Sequence, residues 1–283
     1  MFAKKRWAVT AAFILTLSIS LLPNQAFAKR YVNAKDHEVD IYMNEYSQYE
    51  VDGDDLKVLV WNMYKGEKPN WKRDYAKLSK GKDILLLQEL YLSPLMLFTF
   101  FEDEGRGYHM ATSFFDTKKL DVASGVATAS HAQPVRQFWQ RSHYKEPFIK
   151  TPKMAIFNEY DLKDYDKNLM TVNLHAINFV SARKLKHMLV EIEKVLAKHD
   201  GPIVYGGDFN TWSKKKTRYL MDSARRLGLT EIKFKKDDRM RTFGRILDYV
   251  FVKGFHVNKS IVYGDIDGSD HKAMEVHLSL KRD

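Results

Sequence analysis

No cysteine occurs anywhere in the 283 residues. That single absence excludes disulfides, thiolate metal sites, iron–sulfur clusters and cysteine nucleophiles. It does not argue against export, because an oxidising compartment permits disulfides without requiring them, and a chain of this size can build a sufficient core. Also missing are a Gly-x-Ser-x-Gly nucleophile elbow and a phosphate-cradling P-loop, so nothing marks a serine nucleophile or a P-loop nucleotidase. No repeat recurs at a fixed period and no low-complexity tract interrupts the sequence, which favours one domain. Beyond the N-terminus there is no apolar run long enough to span a bilayer.

The one long apolar run, Trp7 to Leu22, follows Lys4, Lys5 and Arg6, is broken by Pro23, and leads to Ala26-Phe27-Ala28. A basic start, an apolar stretch and a small-x-small site make the layout of a secretory signal peptide, residues 1–28. The alternative is an uncleaved anchor, for which 16 apolar residues are few, a span needing about 20. Cleavage near Ala28 would leave 255 residues (283 − 28), periplasmic or secreted. The whole chain carries 46 Lys and Arg against 36 Asp and Glu, a net +10, and loss of the three basic leader residues leaves +7. A basic enzyme favours nucleic acid, anionic lipid or phosphorylated small molecules, although solubility alone would also account for the charge.

Residues 29–55 are polar and weakly periodic and read as a lead-in segment to a domain over 56–283. Leu56–Trp61 and Asp83–Gln88 are apolar runs of strand length. A helix is expected between them from Trp71 to Lys80, stopped by Gly81, giving the strand–helix–strand order of layered α/β folds. Another helix is expected over 91–104, a short strand over Gly125–Ser130, and a long surface loop over 131–150. Met154–Tyr160 and Leu169–Leu174 read as strands joined around Lys163–Asp166. Leu185, Met188, Leu189, Ile192, Val195 and Leu196 make one apolar face of a helix from Ser181 to His199. Ile203–Tyr205, Ile246–Val252 and Met274–Leu280 are further strands, and Thr217–Leu227 a further helix.

Ionisable residues gather where these strands end, which is where open α/β sheets place ligands. Asn62 and Glu89 each follow a strand, and an amide oxygen beside a carboxylate suits a hard cation. In Gly206-Gly207-Asp208-Phe209-Asn210 the glycines permit close approach of the backbone to a ligand, and extended backbone puts Asp208 and Asn210 on one face. An Asx-rich turn explains the same residues. Asp248 is an acid inside an apolar strand: either an edge residue facing water, or the partner that fixes a histidine tautomer. Ser269-Asp270-His271 precedes the last strand, and His175 closes another; histidine is the usual general base near neutral pH.

Taken in order, Val60-Trp61-Asn62, Leu87-Gln88-Glu89, Asn173-Leu174-His175, Gly207-Asp208-Phe209-Asn210, Leu247-Asp248-Tyr249 and Ser269-Asp270-His271 resemble the endonuclease/exonuclease/phosphatase superfamily, the DNase-I-like fold. The resemblance implies an α/β fold of four layers, two mixed β-sheets packed face to face with helices outside, and a site at one edge. It implies that Glu89, with Asn62 and Asp270, holds Mg²⁺ or Mn²⁺. His271 would be general base or charged phosphate contact, oriented by Asp248. Asp208 would position water or assist the leaving group, and Asn210 would bind phosphate. His175 matches a second histidine of the branch resembling DNase I and the bacterial sphingomyelinases, where abasic-site endonucleases usually carry tyrosine. The arrangement looks closest to a little-characterised group of exported bacterial members.

The expected activity is metal-dependent phosphodiester hydrolysis by in-line water attack, with no covalent intermediate. Nucleic acid or a nucleotide is the first substrate class, since Lys214, Lys215, Lys216, Arg218 and the basic residues from Arg225 to Arg245 would suit a phosphate backbone. Trp139, Tyr144, Phe148 and Trp212 could stack on bases. The same mixture suits an anionic lipid surface, which keeps a phospholipid phosphodiesterase open, as does a non-catalytic polyanion-binding protein. A monomer is expected, and no protein partner is indicated.

Overall fold

The computed structural model describes residues 29–282. The signal-peptide expectation for residues 1–28 lies outside the described residues. In chain order the elements are β1 (Tyr31–Asn33), β2 (Asp40–Met43), β3 (Glu50–Val51), β4 (Leu56–Asn62), α1 (Trp71–Ser79), β5 (Ile84–Tyr91), α2 (Pro94–Phe101), β6 (Gly107–Asp116), β7 (Val122–Ser130) and β8 (Arg136–Arg141). There follow β9 (Met154–Leu162), β10 (Tyr165–His175), α3 (Ala182–Leu196), β11 (Ile203–Asp208), α4 (Lys214–Arg226), β12 (Thr230–Glu231), β13 (Arg241–Thr242), β14 (Arg245–Ile246), β15 (Asp248–Lys253), β16 (Phe255–Val262) and β17 (Met274–Leu280).

Two mixed sheets result. The first runs β1-β6-β7-β5-β4-β17-β16 with β2 also on β6; the second runs β12-β15-β11-β10-β9-β3 with β8 also on β9. Between them lies an apolar core of Val58, Val60, Leu86, Val204, Val250, Met274, Val276 and Leu278. α1 and α2 cover the outer face of the first sheet through Trp71, Tyr75, Leu78, Met96 and Phe100. α3 covers the second through Leu185, Leu189, Ile192 and Leu196, each such buried side chain contributing roughly 1.5–3 kcal/mol. The fold is thus the expected four-layered α/β sandwich of the DNase-I-like kind.

Local chemistry sets the helix starts. Pro94 occupies the first turn of α2, where no N–H partner is needed, and the Ser93 hydroxyl accepts from the Met96 N–H. Ser213 caps α4 in the same way through Lys216 N at 3.3 Å. In β17 the alternation holds on one face, Met274, Val276 and Leu278 being buried. Glu275, on the other, is also buried, but it is paired with Lys82 at 3.0 Å.

Three expectations change. Residues 29–55 are not a separate lead-in: β1 and β2 extend the first sheet along β6, and β3 extends the second along β9. The loop expected over 131–150 contains β8, whose backbone pairs with β9 from Arg136 to Arg141. Strands β6 and β16 were not expected. β6 is buried on nearly every position, as centre-sheet strands are, so it shows no alternation. β16 lies at the sheet's end and is largely polar and exposed.

Candidate functional site

β4 and β5 run parallel, as do β10 and β11, so their C-terminal ends open on one edge of the sandwich. β15 and β17 run antiparallel to β11 and β4 and begin at that edge. Strand register does the rest. His175, Asp208 and Asp248 are consecutive cross-strand neighbours on β10, β11 and β15, and Asn62 closes β4. The structure therefore brings Asn62, His175, Asp208, Asn210, Asp248 and His271 together, with Glu89 beside His175.

Two glycines make this convergence feasible. A Cβ on Gly206 would lie 2.9 Å from Val60, so its absence lets β11 approach the opposite sheet. Gly207 has φ +143°, and a Cβ there would sit 1.9 Å from the Leu174 carbonyl oxygen. The close approach expected of these glycines is thus made to the protein's own strands. Below the site, Gln88 and Asn173 join the sheets. Gln88 Nε2 donates to Asn173 Oδ1 at 2.6 Å, and Asn173 Nδ2 donates to the Leu87 and Ala127 carbonyls at 3.1 and 2.8 Å.

Asp208 and Asp248 are like charges directly opposite across an antiparallel pair, a destabilising arrangement unless a cation or proton is shared. His271 supplies the cation. Its Nδ1 donates to Asp248 Oδ2 at 2.8 Å. Burial opposes the charged imidazole, but Asp248, Asp208 and Asp270 outweigh it and push its pKa up to about 10. Ser269 orients the segment, its hydroxyl donating to the Asn62 carbonyl at 2.7 Å and accepting from His271 N at 3.1 Å. Asp208 is raised as well, which in a carboxyl favours the neutral form. Burial, then the Asp248 and Glu89 charges, outweigh His271 and the Asn210 N–H and raise it to about 7. His175 is pushed down by burial and by Lys153, and stays neutral near pH 7.

The two asparagines attend Asp208. Asn62 Nδ2 donates to Asp208 Oδ2 at 3.2 Å, while its Oδ1 accepts from Tyr64 N at 3.0 Å. Asn210 sits at φ 50°, and its backbone N–H donates to Asp208 Oδ1 at 2.9 Å, so the Asx turn is real. Its Nδ2 donates to the Ala176 carbonyl at 2.9 Å and to Asp208 Oδ2 at 3.3 Å. A phosphoryl oxygen reaching Asn210 has to displace Asp208 from that second hydrogen.

Glu89 also has a left-handed backbone, φ 52°, at an irregularity in the β5–β7 register that turns its carboxylate toward the site. Burial would raise its pKa, yet His175, Lys153, Lys65 and His271 together lower it to about 2. It stands 3.6 Å from His175 Nε2 and 3.4 Å from Lys65 Nζ. Asp270 is exposed, and its pKa is raised by partial burial and by Glu89. A permanently ionised carboxylate at the mouth, with an acid and an amide oxygen close by, is a donor set that fits a hard divalent cation. Asp208, Asp248 and His271 also come within 4.8 Å of one another. There, however, the imidazole proton is committed to Asp248, so that group reads as proton-handling.

Beside Glu89 and His175 opens a cavity of about 200 Å³. Its wall includes Lys65, Lys153, Glu146 and Asn178, none of them singled out by the sequence reading. Lys153 Nζ lies 3.6 Å from Glu146, and Glu146 accepts from Asn178 N at 3.1 Å. Lys216, only 1 % exposed, places Nζ 3.4 Å from the Asn210 carbonyl and over the Trp212 ring at 4.0 Å. Burial lowers its pKa to about 8. Of the expected stacking residues, Trp139 donates to Asp40 and packs on a core cluster, and Tyr144 packs on another. Phe148 and Trp212 remain near the mouth.

Structure and sequence comparisons agree with this fold. A Beutenbergia cavernae endonuclease/exonuclease/phosphatase shares the fold at TM-score 0.64 and 19% identity, over 80% of this chain and 72% of that one. A Bacteroides thetaiotaomicron protein described as mannosyl-6-phosphatase shares it at TM-score 0.56 and 16% identity, over 80% of this chain and 100% of that one. The DNase-I-like architecture is therefore the class. The Endonuclease/Exonuclease/phosphatase family profile matches residues 59–271, and the chain belongs to that family, whose members hydrolyse phosphoester bonds and usually use a divalent metal. A Vibrio campbellii UPF0294 protein is 35% identical over 251 residues, covering 85% of this chain and 84% of its own.

Proposed function

We propose that the protein is an exported, divalent-cation-dependent phosphodiesterase that cleaves its substrate by in-line attack of water. The observation that carries the reading is the Asp208–Asp248–His271 group, in which one carboxylate is raised to about 7 while the neighbouring imidazolium is stabilised to about 10. Both values are raised, which leaves a carboxylate able to take a proton near neutral pH beside an imidazolium able to give one, as acid–base assignment requires. Asp208 accepts the proton of the attacking water, held by the Asn62 and Asn210 N–H groups. His271, charged and fixed by Asp248, contacts a phosphoryl oxygen or protonates the leaving oxygen. It serves as the cation rather than the base. Neutral His175 donates a hydrogen bond into the same space.

Glu89 would hold the ion, with Asp270 and the Asn62 oxygen nearby; Mg²⁺, or Mn²⁺, suits these oxygen donors. When bound, the ion offsets phosphate charge and stabilises what develops on the phosphoryl oxygens. Nucleotides and other small phosphodiesters fit better than a long nucleic acid. Much of the expected basic density is paired: Arg225 with Asp222, Arg226 with Glu193, Lys236 with Asp238, Arg239 and Arg241 with Asp237. The sugar-phosphate neighbour likewise takes a small substrate by its description.

The test is turnover of bis(4-nitrophenyl) phosphate, a dinucleotide and plasmid DNA with Mg²⁺, together with the stereochemical course on a chiral phosphorothioate diester. Turnover with inversion at phosphorus is expected, as a single in-line displacement by water requires. No turnover of any diester would sink the reading, and retention at phosphorus would replace direct water attack with a covalent intermediate.

A further inference from the structure

Of the exposed aromatic residues, Phe148, Phe179 and Phe243 gather at one edge, while Tyr42, Tyr49, Phe98 and Phe101 lie on β2, before β3 and on α2. Phe243 projects from the turn between β13 and β14, 85 % exposed, with its ring 6.3 Å from that of Trp212. Trp212 Nε1 donates to Asn178 Oδ1 at 2.9 Å, and Asn178 precedes Phe179, which is 61 % exposed. The Phe179 ring lies 5.7 Å from that of Phe148, 79 % exposed. A continuous aromatic arc therefore rims the mouth that holds His175 and Glu89. Phe179 and Phe243 both adopt left-handed backbone, φ 52° and 50°, a conformation a bulky residue takes at a cost. Strain that displays two phenylalanine rings to water at a functional edge calls for a function.

Charge accompanies the rings. Lys145 and Lys150 lie close to Phe148 in the chain, Arg245 lies two residues from Phe243, and Lys29 shares a groove with Phe148, whereas Arg30 and Arg241 are paired with Asp116 and Asp237. That groove is also where the described residues begin. Apolar rings among basic side chains match a bilayer with anionic headgroups, the rings entering the interface and the cations meeting the lipid charge.

We infer that the catalytic edge docks on an anionic membrane surface through Phe148, Phe179 and Phe243, and that the phosphodiester cleaved is a lipid headgroup linkage presented there. The substrate half rests on the phosphodiesterase reading above; the docking half does not. Sucrose-loaded vesicles of phosphatidylcholine with phosphatidylglycerol, or of phosphatidylcholine alone, are sedimented with the full chain and with its Phe148→Ser/Phe243→Ser variant. Parallel assays follow lipid hydrolysis, as soluble phosphate ester or as phosphatidate left in the vesicle, and hydrolysis of soluble bis(4-nitrophenyl) phosphate.

Loss of each ring is expected to weaken binding to the anionic vesicles about tenfold, both together about a hundredfold. Soluble turnover should stay within about twofold, because neither ring touches the catalytic residues. Equal binding of wild type and variant, or equal binding to both vesicle types, overturns the docking. Docking with neither soluble phosphate ester nor phosphatidate formed, while the soluble diester is cleaved, overturns the lipid as substrate. Failure on the soluble diester removes the phosphodiesterase reading and leaves docking to be judged by sedimentation. Loss of DNA binding in the variant, with no vesicle binding by wild type, transfers the rim to nucleic acid.

Discussion

Asp208 and Asp248 face each other across β11 and β15, and the histidine between them carries the consequence. His271 has its folded pKa raised to about 10, above the ordinary value of 6.5. Its contribution to stability is therefore present in full below about 6.5 and is lost as pH rises through about 10. Asp248→Asn removes the charge that holds the proton. By NMR, the His271 imidazole is expected to titrate near 10 in the metal-free protein and well below that in the variant; an unchanged titration would show that Asp248 is not its partner. For catalysis, His271→Ala should lower kcat by roughly 10²–10⁴-fold. Lys216 acts through its neighbours. Lys216→Met keeps the volume but frees the Asn210 carbonyl, so kcat is expected to fall several-fold with KM nearly unchanged. A rise in KM alone would place Lys216 at the substrate instead.

At the scale of the strands, the site depends on how closely two sheets can approach. Gly207→Ala puts a methyl 1.9 Å from the Leu174 oxygen in a conformation L-residues avoid, and more than about 3 kcal/mol of stability should be lost. Asn173→Ala removes the link to Gln88 and strips two buried carbonyls of a donor, costing about 2–3 kcal/mol. Urea denaturation reads both, and an Asn173→Ala midpoint equal to wild type would remove the clamp from the account. These same strands explain what the sequence disclosed. Gly207-Asp208-Phe209-Asn210 and Ser269-Asp270-His271 were legible because each is contiguous and sits at the end of an apolar strand. Gln88 and Asn173 stood inside legible motifs, but pairing between sheets leaves no local trace. Lys65, Asn178 and the Glu146–Lys153 pair come from three separate segments, the last between β8 and β9, and meet only in the folded chain. β6 was missed because burial on both faces erases the period of two, and β8 because Pro134 and the basic ends of Arg136–Arg141 read as loop.

Over the whole molecule, charge proved less informative than its placement. The net +10 includes many residues paired on α4 and the 231–241 segment, while Lys145, Lys150 and Arg245, near Phe148 and Phe243, share the edge where catalysis is proposed. Residues 31–51 extend both sheets, so a chain starting at Leu56 is expected to lose β6 edge cover and aggregate. A soluble, fully folded truncation, read by size exclusion and circular dichroism, would contradict that. Every role in the account turns on Glu89 holding a divalent cation beside the Asp208–His271 pair. Hydrolysis of bis(4-nitrophenyl) phosphate as a function of Mg²⁺, for wild type and Glu89→Gln, tests it most directly. The account predicts saturable activation of wild type, abolition by EDTA, and a variant needing at least about tenfold more Mg²⁺. Wild-type turnover indifferent to EDTA, or a Glu89→Gln curve superimposed on wild type, would contradict it.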